Sequence, residues 1–283
     1  MTPRYSQKNL VQKEPHTPMN TNPTPCLLLA LAVVVGSPHA ALAQDPPLQS
    51  ENEEIYGAYG DEGSLARASQ NPVANLISLP LQNNFLFLED TGDLLYNLNV
   101  QPVVPFNLNE DWNLITRTII PFFALENAPA GFDSAGLGDI NTSLFFSPAN
   151  SGGVIWGAGP ALSFPTATED LFGSGKWSAG PAAVALTMRG RWVFGALANN
   201  VWSYAGDSDR RSVNAMLVQP FINYNLDQGW FLVSAPVITA DWKRDHDERW
   251  TVPLGGGFGR VFPIGRRPVN TSLQAFYNVE HPT

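Results

Sequence analysis

Residues 96–106 read YNLNVQPVVPF, a stretch in which the character of the side chain alternates from one residue to the next. One parity is apolar and the other carries amides: Tyr96, Leu98, Val100, Pro102, Val104 and Phe106 oppose Asn97, Asn99 and Gln101. Successive side chains of a β-strand point to opposite faces. The stretch therefore predicts a strand with one apolar face and one amide-bearing face.

The same pattern returns along the chain in runs of strand length that Gly, Pro, Asn or Asp residues bound. These runs predict one all-β domain without a second domain or linker. The predicted strands are residues 77–87, 96–107, 112–123, 139–147, 154–164, 177–188, 192–203, 213–225, 230–241, 250–262 and 269–279. Prolines within the runs remove ladder hydrogen bonds and predict interruptions or bulges at Pro102, Pro160, Pro181, Pro220 and Pro236.

The connections between the runs alternate in length. Short ones are residues 108–111, 148–153, 189–191, 226–229 and 263–268; long ones are 88–95, 124–138, 165–176, 204–212 and 242–249. Outer-membrane barrels alternate short periplasmic turns with long external loops, and they carry aromatic girdles at both interfaces. Tryptophans at run ends fit such girdles: Trp112, Trp156, Trp177, Trp192, Trp202, Trp230, Trp242 and Trp250. A soluble, secreted β-sandwich is the alternative.

The N-terminal region contains an export signal. Residues 26–35 read CLLLALAVVV, and Gly36-Ser37-Pro38 and Ala41-Leu42-Ala43 follow. This order predicts a signal peptide, residues 1–43, cleaved after Ala43, and export to the outer membrane of a bacterium. An uncleaved transmembrane anchor is the weaker alternative, because a spanning helix needs about 20 apolar residues. Residues 44–76 form an acidic N-terminal segment with a short helix predicted at residues 64–70.

Composition narrows the classes of function. The net charge of -9 disfavours nucleic acid as a partner, and the single cysteine, Cys26, lies within the predicted leader. Only two histidines follow the leader, His246 in the charged turn 243–249 and His281 near the end. The sequence contains no motif that combines the nucleophile, base and orienting group of a hydrolase. We expect no enzyme activity, no catalytic residues, no cofactor and no metal.

Several longer strings resemble a known family. Residues 71–84 (NPVANLISLPLQNN), 97–123 (NLNVQPVVPFNLNEDWNLITRTIIPFF), 156–168 (WGAGPALSFPTAT) and 219–232 (QPFINYNLDQGWFL) resemble bacterial outer-membrane transporters described as putative proteins of the meta-pathway of phenol degradation. The resemblance covers nearly everything after Ser64. It implies a β-barrel that takes up small organic molecules, with aromatic compounds as candidates, and it supplies no catalytic motif.

The polar parity predicts which side chains line the lumen, because lipid offers no hydrogen-bond partner to an amide. The predicted lumen residues are Gln82, Asn84, Asn97, Asn99, Gln101, Asn113, Arg117, Gln219, Asn223, Gln274 and Asn278. Arg117 is a single charge in the middle of a strand. Either it lines a pore or it pairs with an acidic residue of the N-terminal segment such as Glu53 or Glu54.

These patterns predict a transmembrane, antiparallel, up-and-down β-barrel of about twelve strands at residues 77–283. Eleven runs leave one strand missing, so we expect the sequence to be truncated at its C-terminus. The expected function is passive uptake of small organic molecules, with outer-membrane lipid and the solute as partners. A closed structural or ligand-binding barrel without transport is the alternative, and the pattern does not predict an oligomeric state.

Overall fold

The computed structural model describes residues 25–31, 69–87, 93–128, 132–264 and 267–282. Almost all of this part of the chain belongs to one antiparallel sheet. The strands are β1 (Pro25–Leu31), β2 (Leu81–Phe87), β3 (Leu94–Val100), β4 (Val103–Asn107), β5 (Trp112–Ala128), β6 (Phe132–Leu137), β7 (Ile140–Pro148), β8 (Ile155–Phe164), β9 (Lys176–Arg189), β10 (Trp192–Gly206), β11 (Asn214–Asn225), β12 (Trp230–Ser234), β13 (Ile238–Asp241), β14 (Trp250–Ile264) and β15 (Arg267–Glu280).

The sheet closes on itself. Hydrogen-bonded neighbours run from β10 through β9, β8, β7, β5, β3, β2, β1, β15, β14, β12 and β11, and β11 pairs with β10. The fifteen strands fill twelve strand positions in the wall of the barrel. Three positions hold two strands each, namely β3 with β4, β6 with β7, and β12 with β13. This confirms the predicted antiparallel β-barrel of about twelve strands. One closed sheet excludes the two packed sheets of a sandwich.

The position between β2 and β15, where we expected the missing strand, holds β1. Cys26 lies opposite Leu86 of β2 and Phe276 of β15. These seven residues belong to the predicted leader, whose other residues lie outside the described ranges. The signal peptide and its cleavage site stay predictions, as does the missing strand.

Prolines interrupt only some of the predicted strands. Two runs are split at Pro102 and Pro236, giving β3 and β4, and β12 and β13, as predicted. Pro160, Pro181 and Pro220 do not break their strands, but the ladder is interrupted on one side of each, as predicted. Pairing of β8 with β7 skips Pro160, pairing of β9 with β10 skips Pro181, and pairing of β11 with β12 and β13 skips Pro220. Pro160 and Pro181 face each other on their other side, where the ladder between β8 and β9 is continuous.

The hairpin between β5 and β6 is longer than predicted. We expected a loop at residues 124–138, but β5 continues to Ala128 and returns as β6 from Phe132. Phe122 to Leu125 pair with β6 on one side, while β3 pairs with the same residues on the other. Because both neighbours pair with this part of β5, its backbone N–H and C=O groups are hydrogen-bonded. The strand therefore extends here although its sequence does not alternate between apolar and polar residues, and the pattern missed the extension.

The two ends of the barrel differ. The turn end carries the connections 108–111, 149–154, 190–191 and 226–229, and the loop end carries 165–175, 207–213 and 242–249. Apolar side chains fill part of the interior on the wall from β5 to β10, with Ile115, Phe145 and Val193 fully buried. Most of the helix predicted at residues 64–70 lies outside the described ranges. No helix in the described part of the chain is long and apolar enough to cross a membrane.

Candidate functional site

The outer surface of the barrel is apolar and has aromatic clusters at both ends. At the turn end, the rings of Trp112 and Trp156 meet edge to face at 6.0 Å, and Trp192 lies 4.6 Å from Tyr224. At the loop end, Phe164 and Trp177 meet at 5.6 Å. Between the clusters, side chains such as Leu254 and Phe258 are 58% and 50% exposed. The exterior therefore presents an apolar wall between two aromatic rims.

The interior contains a cavity of about 1080 Å³ toward the loop end and another of about 260 Å³ toward the turn end. The predicted lumen residues are distributed between them, except Asn113, which lines neither. Those that line at least one cavity are Gln82, Asn84, Asn97, Asn99, Gln101, Arg117, Gln219, Asn223, Gln274 and Asn278. Their role as the wall of a pore stays a prediction.

Four side chains line both cavities and so form the boundary between them: Gln82, Gln101, Arg117 and Gln219. Three of them are neutral amides, and the guanidinium of Arg117 is the only charge in the set. We call this set the constriction. It joins the strands β2, β5 and β11 and the residue after β3.

A one-way chain of hydrogen bonds leads away from Arg117 along the wall. Its Nη2 donates to Oε1 of Gln101 at 2.6 Å, and Nε2 of Gln101 donates to Oε1 of Gln82, also at 2.6 Å. Gln82 donates to Oδ1 of Asn84 at 3.0 Å, and Asn84 donates to Oδ1 of Asn97 at 2.8 Å. Each amide thus turns its oxygen toward Arg117 and its nitrogen away, an order that strengthens neighbouring bonds.

The charge of Arg117 has no ionic partner among the described residues. The predicted alternatives, Glu53 and Glu54, lie outside the described ranges, so pairing with them stays a prediction. Arginine carries five N–H donors, and the bond to Gln101 uses one. The guanidinium lines both cavities, and its other donors bond no described residue.

The smaller cavity is bounded by residues of the N-terminal segment. Gln70 and Asn225 exchange two side-chain hydrogen bonds of 3.0 and 3.2 Å, and Nδ2 of Asn270 donates to Oγ of Ser69 at 3.1 Å. Val73, only 5% exposed, packs into the apolar cluster inside the barrel. The segment from Ser69 to Leu76 therefore lies inside the barrel at its turn end and narrows it.

The larger cavity carries an excess of positive charge. Five arginines line it, with three carboxylates: Arg117, Arg210, Arg211, Arg244 and Arg249, with Asp209, Asp241 and Glu248. Asp241 accepts from Arg211 and lies 3.6 Å from Arg244. Arg244 also lies 3.7 Å from Glu248, and Arg210 lies 3.7 Å from Asp170. Arg249 stacks over Trp242 at 5.4 Å instead of meeting a carboxylate. The chain as a whole has a net charge of -9, so this positive region is local.

The connections at the loop end are held by specific polar contacts. The carboxylate of Asp139 accepts from N and Oγ of Ser174, both at 2.7 Å. The guanidinium of Arg210 donates to the carbonyl oxygens of Asp170, at 2.7 Å, and Gly173. Trp242 donates its indole N–H to Asn200 Oδ1 at 2.8 Å. These contacts fix the connections around the mouth of the larger cavity.

Sequence reasoning missed several residues of the site. Asn225 and Asn270 lie on the parities of Asn223 and Gln274, so the alternation could have found them. The arginines of the mouth lie in connections, where a charged residue ordinarily faces solvent, and no signal in the sequence brings Arg210, Arg211 and Arg249 together.

No family model matches the chain, and no curated protein matches it in sequence. Among solved structures, the barrel is similar to an outer membrane channel from Pseudomonas putida F1. The two share 15% identity over 95% of this chain and 99% of that chain, with a TM-score of 0.47.

Proposed function

We propose that this protein is a passive channel of the bacterial outer membrane for small organic solutes, and that it is not an enzyme. The observation that carries the proposal is the pairing of an apolar exterior, rimmed by aromatics, with an interior whose wall is amide-bearing. A water-soluble protein would bury an apolar surface of this kind in its core or in an interface, whereas lipid is the solvent in which it is stable when exposed. Outer-membrane lipid is the partner that this exterior fits.

The interior supports passage of a solute. The two cavities share the lining residues of the constriction, and we propose that a solute moves from one cavity to the other past these side chains. Amides donate and accept hydrogen bonds, so they replace part of the hydration of a small polar molecule without demanding a charge. We propose solutes of small size with polar groups, aromatic acids of the phenol-degradation type among them. The resemblance to transporters described for that pathway is the reason for naming aromatics.

A closed ligand-binding barrel is the second candidate, and the docked segment Ser69–Leu76 favours it. The segment is anchored by Gln70 and Ser69 and buries Val73 in the interior. A barrel narrowed in this way admits a ligand from the loop end and holds it there. The two candidates differ in one measurable property, the passage of ions through the turn end.

Reconstitution of the full chain in planar bilayers tests the proposal. We expect discrete single-channel steps, and we expect liposomes containing the protein to swell in sugars and in aromatic acids. Heat-dependent gel mobility, which reports an intact barrel, serves as the folding control. An intact barrel that gives neither steps nor swelling would reject the channel and favour the ligand-binding barrel.

A further inference from the structure

We infer that the constriction is a binding site for the carboxylate of a small organic acid, with Arg117 as the residue that holds it. The inference rests on the proposed function for the route by which the acid arrives, but binding itself does not require passage. The inference names small carboxylic acids as the class of solute and the constriction as the place where they bind. The neutral amides of the wall specify neither.

Arg117 lies between the two cavities of the barrel interior. It lines both cavities together with Gln82, Gln101 and Gln219, so a molecule moving between the cavities comes within reach of the guanidinium. Gln101 holds one arm of the guanidinium at 2.6 Å and fixes its direction. The guanidinium has further N–H groups beside the one that bonds Gln101, and a planar guanidinium can present two parallel donors, the arrangement that carboxylates accept as a pair of hydrogen bonds.

The charge balance favours an anion. A cation half removed from water and without a counter-charge is unfavourable, and binding an anion relieves the cost. Among the described residues no carboxylate pairs with Arg117. Arg117 donates to one described acceptor, the amide oxygen of Gln101, and the hydrogen-bond chain then leads away from it through Gln82, Asn84 and Asn97. Its other donors have no partner among the described residues.

The larger cavity adds one more arginine that pairs with no described carboxylate. Arg249 stacks on Trp242 and lines this cavity, whereas Arg210, Arg211 and Arg244 each pair with a carboxylate. The amides around Arg117 are neutral, so they discriminate by size and hydrogen bonding after the charge has been selected. A monocarboxylate with a small apolar body fits this order of one arginine at the mouth, one arginine at the constriction and a neutral wall.

The test uses the full chain, folded in detergent, and benzoate as the probe, with benzamide as its neutral counterpart. Binding is measured by titration calorimetry, which does not depend on conduction. Arg117→Gln removes the charge and keeps a polar side chain of similar length. Arg260→Gln is the matched control, because Arg260 stacks on Trp230 at the turn end and lines neither cavity. Arg117→Lys keeps the charge without the paired donors, and heat-dependent mobility verifies that each variant folds.

We expect the wild type and Arg260→Gln to bind benzoate in preference to benzamide, and Arg117→Gln to bind it about 10- to 100-fold more weakly. Arg117→Lys should fall between them. Equal binding of benzoate by Arg117→Gln, or equal binding of benzamide by the wild type, would overturn the inference. So would binding that appears only after Glu53 and Glu54 are changed to Gln, since those carboxylates would then be the partners of Arg117. Benzoate binding without conductance would reject the channel and leave the site, and swelling without benzoate binding would do the reverse.

Discussion

Arg117 donates a 2.6 Å hydrogen bond to Gln101, and this bond is the first step of the chain that orients the amides of the lumen. The bond spans β5 and the residue that follows β3, at the level where the two cavities meet. The orientation of the guanidinium and the orientation of the neighbouring amides thus depend on the same hydrogen bond. Substitution of either residue tests this dependence.

Gln101→Glu should neutralise the constriction. The new carboxylate would lie within hydrogen-bond distance of Arg117 and form an ion pair, so the preference of the channel for anions should fall. The reversal potential across a salt gradient measures this. Asn99→Asp, which adds the same charge on the same parity of the wall, should change the reversal potential less. An unchanged reversal potential in Gln101→Glu would mean that ions do not pass close to Arg117.

Asn84→Leu should destabilise the barrel. Asn84 is 5% exposed and bonds both Gln82 and Asn97, so its loss leaves a donor and an acceptor unsatisfied, at a cost of about 1–3 kcal/mol. Asn97→Leu should cost a similar amount, and the double variant less than the two together. Urea unfolding followed by tryptophan fluorescence gives the values. Asn99→Leu, whose side chain has no hydrogen bond to a described residue, should change stability less than either.

The double substitution Asn225→Ala and Asn270→Ala should widen the turn end. It removes the side chains that bond Gln70 and Ser69, so the segment Ser69–Leu76 would keep mainly the apolar packing of Val73. We expect a larger single-channel conductance. Asn223→Ala removes an amide that lines the same cavity without bonding the segment, and it should leave conductance near the wild-type value. Equal conductance in all three proteins would show that the segment does not limit passage.

Gly257→Ala should weaken the seam between β14 and β15. Gly257 pairs with Gln274, and an added Cβ would collide with the carbonyl oxygen of Leu273 and the Cα of Gln274, which are backbone atoms that cannot turn aside. The temperature at which the barrel loses its folded gel mobility should drop. Gly153→Ala meets nothing within 4 Å and should retain the wild-type temperature. Equal temperatures would mean that the backbone of β14 relaxes around the methyl group.

The barrel follows from the sequence because alternation is a local property that survives folding. Asn97 and Asn99 share a parity in the sequence, and both line the larger cavity of the folded barrel. The short connections place consecutive strands side by side, and the sheet has this order. The continuity of the strands at Pro160 and Pro181 could not be read from the pattern, because it depends on two prolines from different strands facing each other, with the gaps in the ladder on the sides away from that contact.

The interior is less predictable than the wall. The docking of Gln70 on Asn225 joins residues 155 positions apart; the alternation indicates which way Asn225 points, but no periodic signal marks Gln70 as its partner. The positive mouth likewise arises because connections far apart in sequence converge at one end of the barrel. Composition reports the charge of Arg210 and Arg249 but not the cavity that they share.

Labelling of single cysteines tests the central claim, that the amide parity faces water and the apolar parity faces lipid. In a Cys26→Ala background, cysteine is placed at position 97, 99 or 219, and in matched variants at 98, 100 or 218. A water-soluble thiol reagent is then added to intact membranes. We predict that 97, 99 and 219 react and that 98, 100 and 218 are protected by lipid. Faster reaction at 98, 100 and 218 would contradict the orientation of the wall, and with it the channel.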